Sequence, residues 1–189
     1  MTWRRVAPRL DTVIGRLARK PLTWIVVAVL VVGGAFGLYW FQPWKLFTSK
    51  TVNEALPSVD TSAPPGTTAA AGNTLLASGT IITHEHESSG TVRLVKLTNG
   101  RVQLVFENLS TSDGPDLHVW LSDQPVLAGR DGWFLFDDGR YVELGALKAN
   151  KGNQVYDVPA GTDLDALTSV TIWCKRFAVS FGAAELNAA

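Results

Sequence analysis

Cys174 is the single thiol in a chain of 189 residues, and a lone cysteine narrows the chemistry open to it. No disulfide can form within the chain, no zinc site can be built from paired cysteines, and no dithiol–disulfide cycle can close in one molecule. What remains is a thiol that forms a mixed disulfide, a sulfenic acid or a bond to some bound group. Lys175 and Arg176 follow it directly, and cationic neighbours favour the thiolate. Strand phase gives the other reading. Cys174 falls in step with Val170 and Ile172, where a free cysteine packs as a small hydrophobe.

Of the three histidines, His84 and His86 flank Glu85 and would share one face of an extended segment. That geometry suits a divalent metal, but no third ligand is identifiable, and Glu87-Ser88-Ser89-Gly90 reads as a solvated turn; no metal site is expected. His118 lies two residues after Asp116, so the strand period sets the carboxylate on the side of the imidazole. Asp116 and His118 are therefore the candidate pair for holding a bound group, whose identity the sequence does not disclose. Gly-x-Ser-x-Gly, a phosphate-cradling glycine loop and His-Glu-x-x-His are all missing. The acids and glycines of Asp131 to Gly139 lack the ligand spacing of a calcium loop. Asn108-Leu109-Ser110 fits a glycosylation acceptor. None of these patterns singles out an enzyme with its own substrate, and the reading leans away from one.

The elements that must position these residues are strands. Val102, Leu104 and Phe106 share a face opposite Arg101, Gln103 and Glu107; Leu117, Val119 and Leu121 oppose His118 and Trp120; Val170, Ile172 and Cys174 oppose Thr171 and Trp173. Phe177, Val179 and Phe181 continue in the opposite phase, which predicts a bulge or crossover near Lys175-Arg176. Turn signals separate the runs at Asn99-Gly100, Asp113-Gly114-Pro115, Asp131-Gly132, Asp138-Gly139 and Ala160-Gly161. Short strands with frequent turns predict an all-β domain over residues 74–187, an antiparallel sandwich or barrel.

Ahead of that domain, residues 22–41 are uncharged and apolar, bounded by Trp24 on one side and by Tyr39, Trp40 and Trp44 on the other. Twenty residues at about 1.5 Å each match the hydrocarbon thickness of a bilayer. A cleavable signal would be shorter and end on small residues, whereas Gln42-Pro43-Trp44-Lys45 is bulky. Of 17 basic and 17 acidic residues, residues 1–21 hold six and one, leaving eleven and sixteen for the rest. The basic tail is expected in the cytoplasm and the domain outside, a single-pass cell-membrane topology. No basic face continues into the domain, so nucleic acid is not expected as a partner. Gly33 and Gly37 have the small-xxx-small spacing that lets two such helices pair. Residues 42–73, rich in Pro, Ser, Thr and Ala, read as a flexible stalk.

Four blocks in order, Gly114-Pro115-Asp116-Leu117-His118-Val119-Trp120-Leu121-Ser122, residues 144–154, Tyr156-Asp157-Val158-Pro159 and Val170-Thr171-Ile172-Trp173-Cys174-Lys175-Arg176-Phe177, together resemble the DM-thirteen domain family, and Phe181-Gly182-Ala183-Ala184 extends the match. The resemblance covers about residues 75–186. It implies a small extracellular β domain proposed to take part in electron transfer, often beside haem-binding DOMON domains. It also implies that Cys174 stands at the family's signature cysteine, proposed as a redox thiol or a ligand to a prosthetic group. The block from Gly114 to His118, and Lys148, match family positions as well. No DOMON domain is present in the sequence, so the electron donor and acceptor are expected to be other molecules.

Two functions of different kinds follow. One is a membrane-tethered redox or electron-transfer module with Cys174 as its working group and an extracytoplasmic redox partner. The other is a non-catalytic surface module that binds a protein, glycan or lipid through an aromatic loop such as Trp133-Phe134-Leu135-Phe136. A metal-binding role for His84, His86 and Cys174 ranks behind both.

Overall fold

The computed structural model describes residues 20–59 and 72–189. Most of the basic tail, residues 1–19, and residues 60–71 of the expected stalk lie outside the described residues. The chain divides into two units at residues 43 and 44, and each is described by itself.

In the first unit, helix α1 runs over Pro21–Phe41, with proline in its first turn, where a missing N–H costs nothing. It ends on a left-handed Gln42, whose N–H donates to the Leu38 carbonyl at 2.9 Å. Its 21 residues span about 31 Å. None is buried, and the apolar span Pro21–Lys45 that it opens has a mean hydropathy of 2.2. A helix apolar on all sides has no core-facing stripe. It is long and apolar enough to cross a membrane, a test that a signal sequence also passes. At Gly33 and Gly37 no neighbouring atom stands within 4 Å of where a Cβ would be.

The second unit is a two-sheet sandwich. Its strands are β1 (Thr51–Asn53), β2 (Thr74–Thr80), β3 (Ile82–Thr83), β4 (Ser89–Lys96), β5 (Val102–Ser110), β6 (Leu117–Ser122), β7 (Tyr141–Ala146), β8 (Lys151–Asp157), β9 (Ser169–Cys174), β10 (Val179–Glu185) and β11 (Asn187–Ala188). The first sheet has the order β1-β8-β5-β4-β2-β11 and the second β3-β10-β9-β6-β7. The fold is thus the all-β sandwich, with no closed barrel. Every pairing is antiparallel except the parallel one of β1 on β8. Between the sheets, Leu94, Leu104, Phe106 and Tyr156 meet Leu117, Val119, Leu121, Val170, Ile172 and Cys174.

Two expectations need correction. Residues 44–58 do not begin a loose stalk. Thr51–Asn53 pair with Lys151–Asn153, and Glu54 accepts the Val155 N–H at 2.7 Å, because the edge of β8 offers unpaired amides that a short extended segment can satisfy. Gly152 has φ +100°, and a side chain there would run into the Val52 carbonyl, so the close strand approach depends on glycine. The phase change after Cys174 is also more than a bulge. Val179 pairs with Cys174, so residues 175–178 are the loop of a hairpin, turned by a left-handed Ala178. The bulge lies later, between Ser180 and Gly182.

The central strands of the second sheet, β6, β9 and β10, are buried on both faces. Trp120, Phe136, Trp173 and Ala183 form a second apolar cluster on its outer side, with Val126 packed against it. Residues 123–140 fold back over that face and seat Phe136 there, fully buried.

Candidate functional site

Alternation along β6 sends Leu117, Val119 and Leu121 inward and turns His118 and Trp120 to the outer face. The register sets His118 opposite Trp173 of β9 and Ala146 of β7. Asp116, just before the strand, brings Oδ1 to 3.0 Å from His118 Nε2. On the other side of the ring, Glu143 Oε1 of β7 lies 2.6 Å from Nδ1, without the alignment of a hydrogen bond. Glu143 in turn meets Lys175 Nζ at 3.1 Å, and the Lys175 N–H donates to the Asp116 carbonyl at 3.0 Å. An imidazole held between two carboxylates, one of them shared with a lysine, can hold or pass a proton and can bind a polar group.

This cluster borders a cleft of about 290 Å³ lined by Lys45, Asp113, Asp116, His118, Lys148 and Asn150, among others. That volume is at the small end for a ligand site. Its cations are partly committed: Lys45 Nζ is 3.2 Å from Asp113, and Lys148 Nζ is 2.8 Å from Glu54. Lys148 also sits 4.9 Å from the Tyr156 ring centre, and its backbone N–H donates to the Tyr156 hydroxyl at 2.9 Å. Burial pushes the Tyr156 phenol up to about 12. The Lys148 ammonium beside Glu54 holds that carboxyl below its ordinary range.

Cys174 ends β9, paired with Leu117 and Val179, and is fully buried in the core between the sheets. It does not line the cleft. Burial raises its pKa above that of an ordinary thiol, and the Asp116 carboxylate adds to this, against opposition from the Phe177 and Arg176 amides. A thiol in this setting stays protonated. Lys175 pairs with Glu143, so the cationic neighbours in sequence are not the dominant influence on the sulfur.

His84 and His86 do not converge. His84 is buried, its Nδ1 2.7 Å from Ser180 Oγ, which is itself 2.8 Å from Thr171 Oγ1. Burial pushes the His84 pKa down, with the Leu127 carbonyl opposing it. The His86 ring lies on Phe181 at a centroid distance of 3.9 Å. Among the described residues, no three His, Cys, Asp or Glu side chains are grouped to hold a metal. In the aromatic loop, Phe136 is buried and Trp133 packs on the core, leaving Phe134 as the exposed ring.

The sequence pattern finds the Asp116–His118 pair but not Glu143, whose part depends on the register of β7 against β6. Glu54 is also invisible to it, because its strand comes from the segment read as stalk. A family profile described as Electron transfer DM13 matches residues 80–186. No curated protein and no solved structure matches the chain.

Proposed function

Because the chain belongs to the electron transfer DM13 family, we propose that it works as an electron-transfer module tethered to a membrane. In this reading α1 spans the lipid bilayer of the cell membrane, the basic tail stays in the cytoplasm, and the β domain meets an extracytoplasmic redox partner. The apolar helix and the charge asymmetry of the sequence support that topology.

One observation carries the placing of the site: all four blocks of the family resemblance meet at one end of the sandwich. Asp116 and His118 come from the first, Lys148 from the second, Tyr156 from the third, and Cys174 and Lys175 from the fourth, joined by the contacts described above. Asp116 and His118 hold a small polar group in the cleft, and Cys174 serves the transfer from inside the core. Thiol–disulfide exchange is a poor description of Cys174 here, since it needs a thiolate that a partner sulfur can touch.

The test uses the full chain purified natively in detergent. Its absorption spectrum, intact mass and voltammetric response are measured beside those of Cys174→Ser and His118→Ala. A reversible one-electron response that either substitution shifts or removes supports the reading. A colourless protein of unmodified mass with no redox response sinks it.

A further inference from the structure

Phe47 is 88% exposed, more than any large apolar side chain of α1. It ends a 3-10 helix over Pro43–Phe47, and Trp44, 49% exposed, stands three residues before it. Three residues make one turn of such a helix, so the two rings share a face. The segment that carries them is tied to the β domain. Lys45 Nζ lies 3.2 Å from Asp113 Oδ1, Thr48 Oγ1 donates to Asp113 Oδ2 at 2.7 Å, and the Lys50 N–H donates to Asn150 Oδ1 at 2.7 Å. Thr51–Asn53 then join the edge of β8. The rings are thus a fixed part of the domain surface, held out from it rather than folded in.

We propose that Trp44 and Phe47 seat the β domain on the surface of an anionic lipid bilayer, with Lys50 and Lys151 beside them meeting the headgroups. This rests on the membrane topology proposed above and adds to it a docked domain in place of one that turns freely. Lys50 and Lys151 are exposed, and the Lys151 N–H donates to the Lys50 carbonyl at 3.1 Å. Neither ammonium enters an ion pair among the described residues. Aromatic rings beside lysines are the composition of a membrane interface, where rings enter the headgroup layer and ammonium groups meet lipid phosphates.

The chain itself names the occupant. Only Gln42 and Pro43 separate Trp44 from the last residue of α1, a reach of roughly 11 Å at full extension. Headgroups around α1 are therefore always at hand for these rings, whereas any soluble partner would have to displace them. Lys45 and Lys50 also line the His118 cleft. Docking by this face holds that cleft close to the headgroup layer and favours partners that are themselves bound to the membrane.

The test places the full chain in nanodiscs of phosphatidylcholine and phosphatidylglycerol, with a nitroxide on Ser110→Cys or on Thr98→Cys. Both positions are exposed, and buried Cys174 stays unlabelled in the fold. Ser110 pairs with Lys151 at one end of β5, whereas Thr98 lies in the turn before the other end, about 26 Å away along the strand. Power saturation with a water-soluble nickel chelate reads how far each label is shielded by lipid. The Ser110 label is expected to be several-fold less accessible than the Thr98 label. That difference disappears in Trp44→Ser/Phe47→Ser and shrinks in Lys50→Gln. Equal accessibility in the wild-type chain, or a difference that survives the double substitution, overturns the docking. Dipolar broadening between Ser110 labels without shielding would seat a second copy on the patch and overturn it equally. Co-elution with the discs separates this failure from that of the membrane reading. A chain that enters the discs without docking loses this proposal alone, and a chain that stays out of them loses both.

Discussion

Removing the Cys174 sulfur separates a packed thiol from an open one. The side chain is fully buried, between Leu117 and Val179 in the ladder. Cys174→Ala deletes one heavy atom, and deletions of that size in a core cost about 0.5–1.5 kcal/mol. Cys174→Ser nearly keeps the volume but sets a hydroxyl in the core, a loss of about 1–3 kcal/mol if it stays unpaired. The Phe177 and Arg176 amides that face the thiol reduce that figure where they bond the new oxygen. Serine is therefore expected to destabilise at least as much as alanine, an ordering that an exposed cysteine would not give. Urea unfolding of the β domain, followed by tryptophan fluorescence, reads a loss of 1 kcal/mol as a midpoint shift of roughly 0.3–1 M. Native labelling by a thiol reagent has to wait for opening, so with about 5 kcal/mol of stability it is slowed by roughly 10³- to 10⁴-fold. The pH dependence has a definite sign. The folded thiol has the raised pKa, so its contribution is complete below the ordinary value of 9.0 and is lost as pH rises through and beyond it. Cys174→Ala should flatten that alkaline decline. Native labelling as fast as in urea, or midpoints that neither variant moves, would refute the argument.

Two further outcomes follow from groups away from the sulfur. His84 has a depressed pKa in the fold, so its contribution is complete above the ordinary 6.5 and is lost as pH falls below it. Wild type should lose stability between pH 7 and 5 more steeply than His84→Gln, measured by urea midpoints, and parallel slopes would count against the buried neutral ring. Glu54→Gln keeps an acceptor for the Val155 N–H but removes the charge opposite Lys148. The pair is partly exposed, so the loss stays under about 1 kcal/mol and falls on the strap rather than the whole domain. Hydrogen exchange of residues 51–54 and 151–155 should quicken while the global midpoint holds, and unchanged exchange would mean that Glu54 does not anchor β1.

How far the sequence reveals this fold depends on the period of each segment. The runs around Val119 and Ile172 alternate cleanly, so their faces are legible from residue order alone, and with them the inward phase of Cys174. The tryptophans on the opposite phase carry a signal that alternation alone misses: an indole on a nominally outer face needs a cover. That cover is Phe136, brought by a loop with no periodic pattern of its own. β1 is illegible for a different reason. Three residues give no period, and what holds them is the vacant edge of a strand one hundred residues further on. Glu143 belongs to the same class, since register rather than spacing puts it against His118.

A sealed thiol and an electron-transfer family can be reconciled by asking what has to move. Disulfide exchange moves atoms: sulfur must meet sulfur, and the burial that raises the Cys174 pKa also blocks the approach. Electron transfer moves no heavy atom and is helped by dry, fixed surroundings, because a rigid site reorganises little when its charge changes. Cys174 and Trp173 are consecutive on one strand and point to opposite faces of it, both buried. Trp173 stacks on Trp120 on the outer side of that strand, while Cys174 packs in the core between the sheets. Burial of the thiol thus counts against thiol–disulfide exchange and is compatible with electron transfer, and the two are separated by whether a voltammetric response survives when native labelling is slow.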